Sequence, residues 1–265
     1  MASSQQAAAP AAAAAAQQHH GHDPAHLLRA LLAVIEERIV PLTAAGVASG
    51  SKLFGAAILR KSDLAPLTVA TNDERTSPLL HGEINCIQQF FTAPPISIPS
   101  TSSSPATAVD TAPTTASATA ATRDCVFVAT HEPCSLCLSG IAWAGFDNVY
   151  HLFTYEDSRD RFAIPHDIRI LEEVFRVRAS VSGTVGEEGD AELTRRPLYN
   201  RKNALFTATS FAELVAAVGG EGEEGGRERE GLVAEVERVK ALYDGLSKTY
   251  QDGKESGVES ASVWT

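Results

Sequence analysis

Two short segments, His81-Gly82-Glu83 and Pro133-Cys134-Ser135-Leu136-Cys137, hold the side chains in this sequence best suited to chemistry. Pro133 follows a strand-like run, Val126-Phe127-Val128-Ala129, and opens an apolar-periodic segment through Ile141-Ala142-Trp143-Ala144. It is expected at the first position of a helix, where its missing N–H costs nothing. Cys134 and Cys137 then share one face of the first turn, where the helix N-terminus lowers a thiol's pKa and favours thiolates. Two thiolates at this spacing supply half of a tetrahedral zinc site. His81, at the start of another helical run from Ile84 to Phe91, supplies a third ligand. Three protein ligands with the fourth position left to water is the pattern of a catalytic zinc. Glu83 is too close to His81 along the backbone to be an easy fourth ligand, but it can reach a metal-bound water, which makes it the candidate general acid/base.

Three other readings of these residues compete. A thioredoxin-like redox pair needs the C-x-x-C but not the His-x-Glu. A closed structural zinc needs a fourth protein ligand. Cys86 lies one residue past the easy i+4 position from His81, and Cys125 is a whole strand away from Cys134. A zinc-bearing partner subunit without catalysis keeps the metal ligands but commonly loses the glutamate, and Glu83 is present.

The paired motifs resemble the zinc-dependent cytidine/deoxycytidylate deaminase superfamily, whose signature is H-x-E followed by P-C-x-x-C. The resemblance covers about residues 24 to 180 and implies a three-layer helix–sheet–helix α/β fold, cytidine deaminase-like, with a mixed sheet of about five strands. It also implies Zn2+ held by His81, Cys134 and Cys137. The reaction it implies is hydrolytic loss of ammonia from the amino-bearing carbon of a small nucleobase or nucleoside, for which the zinc would activate the water and Glu83 would shuttle the protons. Within the superfamily, Glu132-Pro133-Cys134 and Trp143-Ala144 are most similar to guanine and tRNA adenosine deaminases, whereas Gly82, in place of the usual Ala, is similar to cytosine deaminases. Asn72, nine residues before His81, matches a base-contacting Asn of these branches, and a turn-forming Asn-Asp pair is its plain alternative. Trp143 is a candidate wall of the base pocket or ordinary core. Asp157, with Glu156, can accept hydrogen bonds from a purine's N–H groups or belong to a solvated loop. The leading expectation is a guanine- or cytosine/cytidine-type deaminase. The alternatives are a tRNA adenosine deaminase, or a subunit of one, and the non-catalytic zinc protein.

The rest of the chain must position these groups. In its 265 residues, low-complexity alanine inflates a 44% hydrophobic content. Residues 1–22, rich in Ala, Gln and His, are expected to form a disordered tail. Residues 23–180 are the catalytic domain, interrupted by a Ser/Thr/Ala/Pro-rich insertion at 93–122 that cannot bury enough apolar surface to fold. Removing the insertion leaves 23 of the 53 residues that separate His81 from Cys134. That is room for a helix end, a turn and a strand.

Asp23-Pro24 starts a helix whose stripe is Leu27, Leu31, Ile35 and Ile39, with Pro41 expected to kink or end it. Strands are expected at Phe54–Arg60, Pro66–Thr71, Asn148–Tyr155 and Arg176–Val181, and a helix at Pro165–Phe175. The polar segment Glu156–Phe162 is expected over the pocket mouth. Residues 181–265 form a C-terminal extension: a loop with the basic cluster Arg195 to Lys202, a short helix capped by Ser210, a linker at 219–231, and a last helix with the stripe Leu232, Val236, Val239, Tyr243, Leu246 and Tyr250.

Four cysteines without a disulfide-like pattern fit a reducing compartment, with the cytosol as the default and the nucleus as the alternative. No apolar run reaches the length of a membrane span. The net charge of −11 argues against a broad phosphate-binding surface, although tRNA stays open through a local basic patch. The expected partners are a small-molecule substrate and further copies of the chain, since members of the superfamily commonly associate.

Overall fold

The structure, a computed structural model, describes residues 19–92, 122–177, 189–220 and 222–258. A five-stranded sheet has the order β2-β1-β3-β4-β5. It comprises β1 (Gly55–Arg60), β2 (Pro66–Thr71), β3 (Cys125–His131), β4 (Asn148–Phe153) and β5 (Thr207–Ser210). β1 pairs antiparallel with both β2 and β3, and β3, β4 and β5 run parallel. Alternate residues of the buried strands feed two separate cores. One core is covered by α1 (Pro24–Val34), α2 (Val40–Ala48), α8 (Phe211–Ala217) and α9 (Gly222–Glu255). The other is covered by α3 (Gly82–Thr92) and α4 (Ser135–Ala144). The expected mixed sheet between helical layers is thus present. Among the described residues no helix is long and apolar enough to cross a membrane.

Asp23 caps α1 by accepting the His26 N–H at 3.0 Å, and Leu27, Leu31, Ile35 and Ile39 are all fully buried. Pro41 does not end this helix. Lacking an N–H, it cannot continue the i→i−4 ladder, and the chain passes through a π-turn, Ile35–Ile39, in which the Val40 N–H reaches the Ile35 carbonyl. The helix resumes as α2 with Pro41 in its first turn.

Several expectations are corrected in the later half. Arg176 and Val177 form no strand, and the rest of that expected strand lies outside the described residues. The fifth strand is instead β5, extended on β4 from Asn148↔Thr207 to His151↔Ser210. It was hidden because four residues give too short an alternation to read. Ser210 then caps α8 in a capping box with Glu213, as expected. The linker expected at 219–231 is mostly helix, because α9 starts at Gly222. Its glycines are poor helix formers, and the apolar stripe packed further along the same helix outweighs them. Glu156–Phe162 lies within a helix, α5 (Tyr155–Phe162), followed by α6 (His166–Ile170) and a π-turn, Leu171–Phe175. A short α7 (Asp190–Arg195) precedes the basic cluster. Most of the 1–22 tail and 93–122 insertion lies outside the described residues. His19 to His22 nevertheless form a turn with His19 buried against Tyr150, and Thr122 is buried.

Candidate active site

The ends of β3 and β2 carry the site. β3 hands over through Glu132 and Pro133 to Cys134, which is the N-cap of α4, and Cys137 sits one turn on. Pro133 therefore precedes the helix instead of opening it. The extended backbone of Cys134 (φ −65°, ψ 172°) lets its sulfur turn back toward the helix N-terminus. His81 stands immediately before α3, whose first N–H, that of Gly82, donates to Asn72 Oδ1 at 2.6 Å. Asn72, on the loop after β2, thus caps the helix that bears Glu83. The Asn72 Nδ2 is buried with no hydrogen-bond partner.

The two helices bring His81, Cys134 and Cys137 together. His81 Nδ1 lies 3.4 Å from Cys134 Sγ and 3.7 Å from Cys137 Sγ, and the sulfurs are 3.5 Å apart. Tetrahedral ligands with metal bonds of about 2.3 Å to sulfur and about 2.0 Å to nitrogen stand about 3.5 to 3.8 Å from each other. The set therefore fits a zinc ion without rearrangement. Among the described residues these are the only three that converge in this way. Cys86 instead meets the Thr68 carbonyl, and no other described residue joins the trio.

Glu83 is buried beside this trio, with Cys137 Sγ 3.3 Å from its Oε2. Burial, with the Cys134 charge, raises its pKa to about 7, a value suited to moving protons near neutrality. The hydrogen bond from Cys137 holds the Cys134 thiol well below its ordinary value, and burial holds Cys137 well above. Burial opposes a charge on His81, but the hydrogen bond and charge of Cys134 outweigh it and raise the imidazole to about 9.

A cavity of about 290 Å³ opens onto His81 and Cys134, with Phe54, Leu79, Leu136 and Ile170 as apolar walls and Lys52, His166 and Asp167 as polar ones. Lys52 is tied to Glu74 by a buried ion pair at 2.6 Å. Burial, followed by the Cys134 charge, pushes the Asp167 carboxyl up to about 8.

None of the three substrate-binding candidates lines this cavity: Asn72 is buried beside it as the cap of α3, and the other two point elsewhere. Trp143 is 90% exposed. Cys137, Leu138 and Ile141 define the inward face of α4, and a residue six positions beyond Cys137 points the other way. Asp157 completes the capping box of α5 and pairs with Lys240 at 3.1 Å. Asp167 and Lys52 take the polar places instead. Asp167 was legible only as an acid interrupting the apolar pattern of the 165–175 helix, and nothing about Lys52 set it apart from a loop lysine.

Residues 37–153, which span both motifs, match the family model for the cytidine and deoxycytidylate deaminase zinc-binding region. That match covers under half of the chain. Among solved structures it is similar to a guanine deaminase from Bacillus subtilis, at 23% identity and a TM-score of 0.36, over 53% of this chain and 74% of that one. It is also similar to a guanine deaminase from Nitrosomonas europaea, at 14% identity and a TM-score of 0.32, over 77% and 81% of the two chains. A structure from a study of tRNA:A34 deaminases matches at 15% identity and a TM-score of 0.31, over 45% and 75%. No curated protein matches the sequence. The zinc-binding region ends at residue 153, so α6 with Asp167 lies outside it.

Proposed function

We propose that this chain is a zinc-dependent hydrolase that converts the amidine of a small nucleobase or nucleoside, of guanine or cytosine/cytidine type, to a carbonyl with release of ammonia. The observation that carries the reading is the buried Glu83 carboxylate set against the converging imidazole and thiols. A zinc bound there supplies Lewis acidity and lowers the pKa of water enough for attack at neutral pH. Glu83 takes one proton of the attacking water and delivers it to the ring nitrogen beside the amino-bearing carbon, then takes the remaining proton from the added hydroxyl and delivers it to the amine, so that the carbon–nitrogen bond breaks, ammonia leaves and the carbonyl forms. Phe54, Leu79 and Leu136 offer apolar surface to a flat ring, and Asp167 offers a polar group to its edge. We infer that Asn72 holds the base, whereas Asp157 and Trp143 serve elsewhere.

The acidic balance of the chain favours a small neutral substrate over tRNA, and a cytosolic setting suits four free cysteines. A second copy is the partner we infer for the outer face of α4. That face presents Trp143 with no charged residue anywhere in the helix, and charge depletion with an exposed aromatic marks an interface core. Sedimentation of the wild type against Trp143→Ser tests this. A wild-type chain that sediments as a monomer refutes it.

The reaction is tested by offering guanine, cytosine, cytidine, adenosine nucleotides and tRNA to the zinc-loaded protein and measuring ammonia, with Glu83→Ala as control. Ammonia from a base or nucleoside that disappears in the control supports the reading. Inosine in tRNA alone moves the assignment to the tRNA branch. Bound zinc with no product from any substrate leaves the chain a non-catalytic partner.

A further inference from the structure

The link between β3 and Cys134 is only two residues long, and both are held from outside. Glu132 is buried, at 7% exposure, an unusual place for a carboxylate unless its lone pairs are used. Its backbone N–H donates to the Phe153 carbonyl at 2.8 Å. Its Oε2 accepts the Tyr155 N–H at 3.2 Å, and its Oε1 accepts the Tyr199 hydroxyl at 2.8 Å. The Arg201 guanidinium lies 3.8 Å from the same Oε1 and His151 3.9 Å from it, so the charge faces a cation and a ring edge. Tyr155 closes the loop by donating its hydroxyl to the Pro133 carbonyl at 2.5 Å. The peptide on the N-terminal side of Cys134 is thus fixed at both of its residues, and on the C-terminal side Cys134 is fixed by α4.

This bracing has a specific consequence for the metal. Two sulfurs 3.5 Å apart repel once both are ionised, and a free turn would let Cys134 swing away. A ligand already held in its bound geometry loses less freedom when the ion arrives, which appears as affinity. We propose that Glu132, Tyr155 and Tyr199 form a clamp that preorganises Cys134 for the metal, so that they are positioning residues of the site. This rests on the reading that His81, Cys134 and Cys137 are the ligands. Tyr155 and Tyr199 both lie beyond the zinc-binding region that ends at 153. The metal geometry of this chain therefore depends on its later segment, and Tyr199 reaches it only because residues 196–206 fold back beside β5.

The test uses the full-length chain and two measurements that need no turnover. One is the zinc dissociation constant by competition with a chromogenic chelator, and the other is the visible spectrum after cobalt substitution. Tyr199→Phe removes a single hydroxyl and decides the matter even if Glu132→Gln fails to fold. Tyr199→Phe is expected to raise the zinc Kd by up to about tenfold, the low end of the effect of losing a partner bonded to a ligand itself, because Tyr199 acts on Cys134 through Glu132. It should also shift the cobalt bands while the chelator-treated protein melts as wild type does. Glu132→Gln should do the same. Wild-type affinity and an unshifted cobalt spectrum in Tyr199→Phe overturn the clamp, whether or not the variant melts earlier. A wild-type chain that takes up no zinc defeats the ligand assignment, and the clamp with it, which distinguishes the two failures.

Discussion

Glu83 and Cys137 are 54 residues apart in sequence, yet the Cys137 thiol lies 3.3 Å from Glu83 Oε2. The contact exists because α3 and α4 lie side by side on one face of the sheet. The glutamate proposed to carry protons and a proposed metal ligand are placed next to each other without either being on a loop, and sites on rigid elements hold their geometry best.

That proximity separates chemistry from metal binding. Glu83→Gln keeps the shape and removes the base, so kcat should fall about 100- to 10,000-fold, the range for loss of a positioned acid/base. Zinc content, measured by elemental analysis, should stay at the wild-type level because the ligands are untouched. A Gln variant that turns over within a few fold of wild type removes Glu83 from the proton path.

Gly82, between His81 and Glu83, lies directly against the backbone at the start of β1. A Cβ there would meet the Gly55 Cα at 2.8 Å and the Phe54 carbonyl oxygen at 3.0 Å, both backbone atoms that cannot turn aside. Gly82→Ala should therefore push the first turn of α3 off β1. Overpacking of this kind costs about 1 to 3 kcal/mol, and the push also moves His81 and Glu83 away from the cysteines. Chemical denaturation should show the loss of stability, and the chelator assay a weaker zinc site. A variant as stable and as tight as wild type would mean that β1 yields easily.

How much of this could be read from the chain itself follows from the range of each signal. The convergence of His81, Cys134 and Cys137 was legible because residue type and spacing point to it, and Leu27, Leu31, Ile35 and Ile39 gave a helix because four-residue recurrence is local. Trp143 was misplaced because its neighbours fix only the helix, not the angle from Cys137 at which it emerges. β5, at four residues, and Asp167, in a helix that turns toward the cavity, depend on where distant segments dock. Glu132 and Tyr199 are 67 residues apart, and no pattern in either neighbourhood joins them.

Acid should loosen the N-terminal turn before the core. Burial, then the charge of Lys61, lowers the His20 imidazole from 6.5 to about 4, and burial lowers His19 as well. Asp147 opposes the shift on His20, while His22 and Tyr150 complete its surroundings. With the folded pKa below the unfolded one, the folded turn binds fewer protons between pH 6.5 and 4. Its stability contribution is whole above about 6.5 and shrinks as the pH falls toward 4. Hydrogen exchange of residues 19–26 should quicken over that window, and His20→Gln should flatten the response. Exchange that does not vary with pH, after correction for its intrinsic rate, would show that the turn is held by other contacts.

Tyr243 packs the last helix against the strand that leads to Cys134. Tyr243 of α9 is fully buried, with its ring centroid 5.2 Å from that of Phe153 and 5.7 Å from that of His131, the residue that ends β3 just before Glu132. Leu232, Val236 and Val239 continue the same seam, so α9 closes the core over the strand that aims Cys134. Tyr243→Ala opens a cavity there and should cost about 3 to 5 kcal/mol, as large aromatic truncations do. By contrast Leu242→Ala, one residue away on the partly exposed side, should stay close to the roughly ±0.5 kcal/mol of surface changes. Urea titrations of the two variants compare these directly. If Tyr243→Ala proves as mild as Leu242→Ala, α9 is a passenger on the domain and not part of the wall that supports the cysteine turn.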